Sequence, residues 1–140
     1  AVGSLVSFVD WVPFNSGYRR YKIKTVEQID DYASIREVVR RRFTRLKNEE
    51  AAFPDVLIID GGQAHMNAAL GELAANGIRA PFCVGLAKHE GDHLWVSGRA
   101  EPIRPDPHRP GFRLLQYVRD EAHRFAQNYH HILRRKRTLG

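Results

Sequence analysis

The first apolar stretches of the chain have the residue types of β-strands, and the second also has their two-residue period. Residues 4–9 are short, apolar and rich in valine, and residues 18–24 place Tyr21 and Ile23 on the face opposite a row of mostly cationic side chains. Residues 11–17 between them are rich in turn-forming types. This pattern predicts two strands joined as a hairpin near the edge of a sheet.

Two longer stretches carry apolar residues at helical spacing. Residues 31–47 predict an amphipathic helix whose other face carries several arginines. Residues 112–136 predict a second amphipathic helix, the longest of the chain, with the basic run 134–137 at its end. The apolar stripes of the two helices are Ile35, Val38, Val39, Phe43 and Leu46, and Leu115, Val118, Ala122, Phe125, Ala126, Tyr129 and Leu133.

The middle of the chain has the pattern of a parallel β-α-β unit. Residues 54–60 form an uninterrupted apolar run that is typical of a strand buried on both faces. An alanine- and leucine-rich helix is predicted for residues 64–76, followed by a second buried strand at 81–87. A surface hairpin is expected from residues 93–96 and 101–104. The chain is therefore predicted to be an α/β domain.

Composition narrows the class of protein. The 140 residues are 43% hydrophobic and 27% charged, as expected of one globular domain, and we expect a single domain over residues 1–140. No stretch approaches the roughly 18 apolar residues of a membrane span, and residues 1–14 lack a secretory signal, so a cytoplasmic location without a membrane partner is expected. The single Cys83 excludes an intrachain disulfide and a cysteine metal cluster, and is expected to be buried.

The positive charge is concentrated at one end. The net charge is +6, and residues 1–98 hold 12 basic and 12 acidic residues whereas residues 99–140 hold 10 basic and 4 acidic ones. A cationic end favours a polyanionic partner, because each lysine or arginine placed near a phosphate releases counterions. A solvated basic tail explains the charge equally well, and the arginine face of residues 31–47 has the same two interpretations.

Three residues are candidates for chemistry. Asp60 ends a buried strand, where α/β sheets place their sites, and Gly61-Gly62 after it permits close approach of a phosphate; a helix-capping role for this carboxylate is the alternative. His123 lies among acidic residues on the last helix, where a surface role is equally expected. A metal-dependent phosphodiesterase needs ligands from separate elements, and Asp31, Asp60 and His123 come from three. Sequence spacing does not establish that they meet.

Six motifs follow one another along the chain: Tyr18-Arg19-Arg20-Tyr21 with Ile23-Lys24, Asp30-Asp31-Tyr32-Ala33-Ser34, Val38-Val39-Arg40-Arg41-Arg42-Phe43, Pro54-Asp55-Val56-Leu57-Ile58-Ile59-Asp60-Gly61-Gly62, Gly85-Leu86-Ala87-Lys88, and Leu114-Leu115-Gln116-Tyr117-Val118-Arg119-Asp120-Glu121-Ala122-His123-Arg124-Phe125-Ala126. In this order they resemble the endonuclease domain of the UvrC family of nucleotide-excision-repair proteins. The resemblance covers nearly the whole chain, and the stretch 119–126 combined with Asp60-Gly61-Gly62 is highly specific.

The resemblance implies a ribonuclease-H-like fold, with a mixed sheet flanked by helices, and a metal-dependent cut in one DNA strand on the 5′ side of a lesion. It implies that Asp60 is a catalytic metal-site carboxylate, that His123 completes that site and that Asp31 is a further acidic residue needed for incision. The implied ion is Mg²⁺ or Mn²⁺, and the implied partners are damaged double-stranded DNA and UvrB, acting with UvrA. Contacts to DNA are expected from Arg40, Arg41, Arg119, Arg134, Arg135, Lys136 and Arg137.

The sequence also departs from the family pattern. The family's first catalytic aspartate lies on the central strand of the sheet, upstream of the position of Ala1, so the chain is expected to lack that strand and to be weak or inactive alone. Gln63-Ala64-His65-Met66 stands where the family usually has a lysine that contacts phosphate. Two function classes therefore stay open: a nuclease domain, and a non-catalytic DNA-binding or scaffold module of the same fold.

Overall fold

The computed structural model describes residues 2–24, 31–88 and 91–139, with side chains from residue 4 to residue 127 of those ranges. Within them a short 3₁₀ turn, Asn15–Gly17, follows the third strand. The strands and helices occur in this order: β1 (Val2–Leu5), β2 (Phe8–Val9), β3 (Val12–Pro13), β4 (Arg19–Lys22), α1 (Asp31–Asn48), β5 (Val56–Asp60), α2 (Gln63–Ala75), β6 (Phe82–Lys88), β7 (Asp92–Val96) and α3 (Pro110–Leu139).

The predicted antiparallel pairing at the start of the chain is confirmed. β1 pairs with β4 in a register that runs from Val2 opposite Lys22 to Leu5 opposite Arg19. The expected single strand over residues 4–9 is wrong, because the β1–β4 ladder ends at Leu5 and Ser7 makes other contacts. The carbonyl of Ser7 accepts the amide of Phe14 at 2.8 Å, and its hydroxyl donates to the Gly17 carbonyl at 3.2 Å.

The short β2–β3 hairpin lies inside that connection. It pairs Phe8 with Pro13 and Val9 with Val12. Its two turn residues, Asp10 and Trp11, have φ angles of 51° and 62°, the left-handed conformation that a two-residue hairpin turn of the primed type requires. This conformation is costly for tryptophan, and Trp11 is nevertheless 47% exposed at the tip.

A second sheet has the strand order β5-β6-β7. β5 and β6 are parallel, from Val56 opposite Phe82 to Asp60 opposite Leu86, as predicted for the β-α-β unit. β7 is antiparallel to β6. The expected hairpin of residues 93–96 with 101–104 is reduced to one bridge, in which Leu94 and Ile103 exchange hydrogen bonds of 2.8 Å. Pro102 and Pro105 flank this bridge and have no amide hydrogen to extend it.

Helix α1 connects the two sheets. Val39 and Phe43 enter the main core, and Val38 joins a smaller cluster with Tyr21 and Ile23 beside β4. Among the described residues no strand pairing joins β1 or β4 to β5. The main core also contains Ile59, Met66, Ala69, Leu73, Ile78 and the buried Cys83.

A buried carboxylate fixes α1 against the segment after β4. Both carboxylate oxygens of Glu37, which is 1% exposed, accept the amide of Lys24 at 3.0 Å, and the Arg41 guanidinium lies 3.2 Å from one of them. The mixed α/β architecture and the extents of α1, α2 and α3 confirm the predicted fold class. None of the helices in the described ranges has the length and apolar character that crossing a bilayer needs.

Candidate active site

Asp60 is displayed on the face of the sheet opposite the main core. Successive side chains of a strand point to opposite faces. Because Leu57 and Ile59 pack with the core cluster, Asp60 points the other way, and its side chain is 55% exposed. The carboxylate thus reaches solvent at the carboxyl end of β5, as predicted for a site in an α/β sheet.

The turn after Asp60 brings two backbones into contact. The amide of Gly61 donates to the Leu86 carbonyl at 3.0 Å. A Cβ at Gly85 would lie 2.7 Å from the Gly61 carbonyl oxygen, and a Cβ at Gly61 would lie 2.4 Å from Cγ of His65. Both positions therefore require glycine, and the tight packing fixes where Asp60 leaves the strand.

Asp60 does not cap α2. The N-cap of this helix is Gly62, and no side chain bonds to the free amides there. The helix-capping interpretation of Asp60 is therefore not supported. Instead, Nε2 of His123, 63 residues further along the chain, donates to Oδ2 of Asp60 at 2.5 Å. The His123 side chain is 52% exposed, so the pair is open to solvent on one side.

Two contacts anchor α3 on either side of His123. On the β4 side, Phe125 packs edge-on against Tyr18, with ring centres 5.1 Å apart. The Arg20 guanidinium carbon lies 3.7 Å from the centre of the Phe125 ring, and its Nη2 donates to the Phe125 carbonyl at 3.1 Å. Burial, and secondarily the nearby charge of Glu121, raise the pKa of Tyr18.

On the β7 side, the anchor is a carboxylate. Nη1 of Arg119 donates to one oxygen of Asp92 at 3.1 Å, and Nε2 of Gln116 donates to the other at 3.2 Å. The side chains of Arg119 and Asp92 are 11% and 20% exposed. The sequence predicted Arg119 as a DNA contact, and the structure gives it this protein partner.

Asp31 lies at the same end of the molecule as Asp60. It is the first residue of α1, and its neighbour Tyr32 packs against His65, with ring centres 4.8 Å apart. His65 in turn lies against Gly61, next to Asp60. Sequence reasoning gave His65 no role, although its position on the first turn of α2 after the Asp-Gly-Gly turn was a usable signal.

The donor set suits part of a divalent-metal site. Asp60 and His123 supply one carboxylate and one imidazole, and both are accessible. Within residues 2–24, 31–88 and 91–139, no three His, Cys, Asp or Glu side chains converge as a metal site would require, so Asp31 does not join the pair in such a cluster. Mg²⁺ commonly uses one or two protein carboxylates together with water and substrate phosphate, and Asp60 fits that mode. His123 would bind an ion through a ring nitrogen that carries no hydrogen, and thus not through Nε2 while that atom donates to Asp60.

The predicted DNA-binding arginines of α1 are engaged in ion pairs. Arg40 lies 3.4 Å from Glu72. Arg41, besides its contact with Glu37, donates to the Lys22 carbonyl at 3.0 Å and lies over the Tyr21 ring. A shallow groove of about 540 Å³ runs beside them, lined by Arg40, Arg41, Thr44, Arg45, Asn48, Glu49 and Asn76. The side chains of Arg134, Arg135, Lys136 and Arg137 lie outside the described residues.

A family model and three curated proteins are similar to this chain, and all four carry the name UvrC or UvrABC system protein C. A family model described as the UvrC RNAse H endonuclease domain matches residues 1–127. The UvrABC system protein C of Methanosarcina acetivorans is 44% identical over 138 residues, which cover 99% of this chain and 26% of that protein. The proteins of the same name from Methanosarcina mazei and Methanosarcina barkeri are each 43% identical over the same length. The chain thus spans about a quarter of the length of these curated relatives.

Proposed function

The chain belongs to the family of the UvrC ribonuclease H endonuclease domain, and from this we propose that it hydrolyses one strand of damaged DNA, on the 5′ side of the lesion, in nucleotide excision repair. The contact between Asp60 and His123 carries the proposal, because it joins a carboxylate and an imidazole from distant parts of the chain at a solvent-open edge. Metal-assisted phosphodiester hydrolysis needs an ion held by a few protein ligands at a site that water and a phosphate can enter.

Asp60 and His123 are the residues proposed to hold a divalent cation, Mg²⁺ or Mn²⁺. Such an ion supplies positive charge that stabilises the charge developing on phosphate oxygens. The chain's own contribution is to fix Asp60 through the Gly61–Gly85 contact and to hold His123 beside it through the two anchors of α3. Asp31 is proposed as a further acidic residue required for incision, reached through the Tyr32–His65 contact.

Metal binding by the chain alone is proposed to be weak. Two protein ligands leave most of the coordination shell to water and to substrate phosphate. We therefore expect slow incision by the chain alone and faster incision when it is joined to the remaining parts of a UvrC protein.

DNA is proposed to bind mainly through its phosphates. The net charge of +6 favours a polyanion, and contacts to phosphate carry little sequence information. Proposed contacts are the arginines of α1 and the basic run 134–137, and binding should weaken steeply with salt. UvrB, acting with UvrA, is the proposed protein partner, since the relatives are named as parts of a UvrABC system.

The decisive experiment is a nicking assay on duplex DNA with a single lesion. The protein is a chimera in which this chain replaces the matching 138 residues of the Methanosarcina acetivorans relative, assayed with UvrA, UvrB and Mg²⁺ or Mn²⁺. Asp60→Asn and His123→Ala should each slow the 5′ nick at least 100-fold, in line with the loss of a group that stabilises transition-state charge. The matched control is Glu101→Gln, which removes an exposed carboxylate outside both the site and α1 and should nick at the parent rate.

Three outcomes would count against the proposal. Nicking at the parent rate by either site variant removes that residue from the chemistry. A chimera that binds DNA normally but does not nick, while the unaltered relative does, favours the non-catalytic DNA-binding module. DNA affinity of the chain that is unchanged between low and moderate salt contradicts the phosphate contacts.

A further inference from the structure

Three side chains in one row of α3 face the ends of two different strands. Gln116, Arg119 and His123 are spaced three and four residues apart, which places them on one face of a helix. The first two bind Asp92, the first residue of β7, whereas His123 binds Asp60, the last residue of β5. One helix face therefore makes both the partly buried ion pair and the contact at the candidate active site.

The dimensions of the helix and the sheet agree with this arrangement. From Gln116 to His123 a helix advances about 10 Å, at 1.5 Å per residue. In the order β5-β6-β7, two strand spacings also amount to about 10 Å. Helix α3 therefore passes along the ends of the strands, from Asp92 at the start of β7 to Asp60 at the end of β5.

We propose that Arg119 and Asp92 act as positioning residues: their ion pair sets the axial position and rotation of α3 that brings His123 to Asp60. The inference rests on the proposed nuclease function and names two residues that support its site. Gln116 completes the arrangement by binding the second oxygen of Asp92.

The burial of the pair argues against a direct DNA contact by Arg119. Its side chain is 11% exposed, and its charge is directed at a carboxylate that is 20% exposed. Transfer of Arg119 to a phosphate would leave the partly buried Asp92 with Gln116 as its one partner among the described residues, which is unfavourable. The position of His123, one turn further along the helix, matters because a displacement of about 1 Å at a reacting group can cost about 100-fold in rate.

The first test measures geometry in the chain alone. The ¹⁵N shift of the His123 ring nitrogen Nε2, at fixed pH, reports its hydrogen bond, and Asp60→Ala gives the value of the unbonded ring. Arg119→Gln and Asp92→Asn should both move the shift toward that value, with Arg119→Lys retaining part of the bond. Arg113→Gln, which removes an exposed arginine from the same helix, is the matched control and should leave the shift unchanged.

The second test uses opposite charge changes in the nicking chimera, well below the Tm of each variant. Asp92→Asn removes a negative charge and Arg119→Gln a positive one, so their electrostatic effects on DNA affinity are opposite in sign. A positioning pair predicts that both lower kcat, by tenfold or more, with KM for DNA little changed. The double variant should be no slower than the slower single variant, because the two residues act as one unit.

The outcomes separate the positioning inference from its alternatives. A normal His123 shift and normal kcat in Asp92→Asn would overturn it. An increase in KM for Arg119→Gln with a decrease for Asp92→Asn would make Arg119 a phosphate contact and also overturn it. If the unaltered chimera does not nick, the proposed function fails, while the ring-nitrogen shifts still decide whether the ion pair places His123.

Discussion

The candidate active site and the arginine face of α1 are built in opposite ways. Asp60 and His123 are each about half exposed, and the hydrogen bond described for both is the one they share. On α1, Arg40 and Arg41 are each paired with a carboxylate, and the partner of Arg41 is the buried Glu37. Asp60 and His123, which are predicted to do chemistry, are thus available to a ligand, whereas the two α1 cations predicted to bind DNA already have carboxylate partners.

The difference shows that a positively charged side chain on this surface is not necessarily available to bind DNA. A half-exposed pair costs little to maintain, because water still solvates most of both groups. The α1 arginines help to hold the fold, and a phosphate must compete with their present partners. Net charge therefore overstates how many cations are free to bind DNA, and the predictions below probe that contrast from its strongest consequence to its weakest.

The largest expected effect is on stability. Glu37→Ala should lower the free energy of unfolding by about 3 kcal/mol, because it removes a buried acceptor of the Lys24 amide and the partner of Arg41. Asp60→Ala should change it by less than about 0.5 kcal/mol, as is usual for surface sites. Urea unfolding of both variants measures the contrast. Equal losses of unfolding free energy would show that Asp60 contributes as much to stability as Glu37 does.

A smaller effect is expected on DNA affinity. Glu72→Gln releases Arg40, whereas Glu49→Gln releases Arg45, whose pair is already more than half exposed. Both changes add the same net charge, so a difference between them reports the ion pair itself. We expect Glu72→Gln to tighten DNA binding about threefold to fivefold and to steepen the dependence on log salt by about one, with a smaller change for Glu49→Gln. Equal tightening would mean that the pair does not restrain Arg40.

The smallest expected effect is the pH dependence of stability that comes from the buried Cys83. Burial raises the pKa of the Cys83 thiol to about 11, from a usual value of 9.0. A raised pKa in the folded state means that stability is complete below about pH 9 and declines as the pH rises toward 11. The unfolding midpoint should follow this decline, and Cys83→Ala should remove that part of it. A midpoint equally pH-dependent in Cys83→Ala would indicate that another group is responsible.

Local patterns were sufficient for much of the fold. The period of the apolar residues predicts α1 and α3, and the buried apolar runs around Asp60 predict the parallel pair β5 and β6. The β2–β3 hairpin could not be predicted in the same way, because Trp11 follows Asp10 where a turn of this type normally has glycine. The Ser7 contacts that interrupt the first strand depend on Gly17, ten residues away.

The sequence predicts which residues form the candidate site, but it does not predict that they contact one another. Asp60 is identified by its position at the end of a buried strand, and His123 by the family resemblance. Their contact joins residues 63 apart, and no period in the sequence specifies the path of α3 over the sheet. The ion pairs of Arg40 and Arg119 could not be predicted from the sequence for the same reason, since their partners Glu72 and Asp92 lie on other elements.

The contact between Gly61 and Gly85 has a consequence for how such a domain can diverge. A side chain at Gly85 would collide with the Gly61 carbonyl oxygen, and one at Gly61 with the ring of His65. Single substitutions at either glycine would therefore displace the carboxylate of Asp60. At Gly85 no change of a neighbouring side chain relieves the collision, because the carbonyl oxygen belongs to the backbone, whereas at Gly61 the obstacle is the side chain of His65. His65 can be replaced by a smaller residue more freely, and coupled change at positions 61 and 65 would then be the mutational path open to this turn.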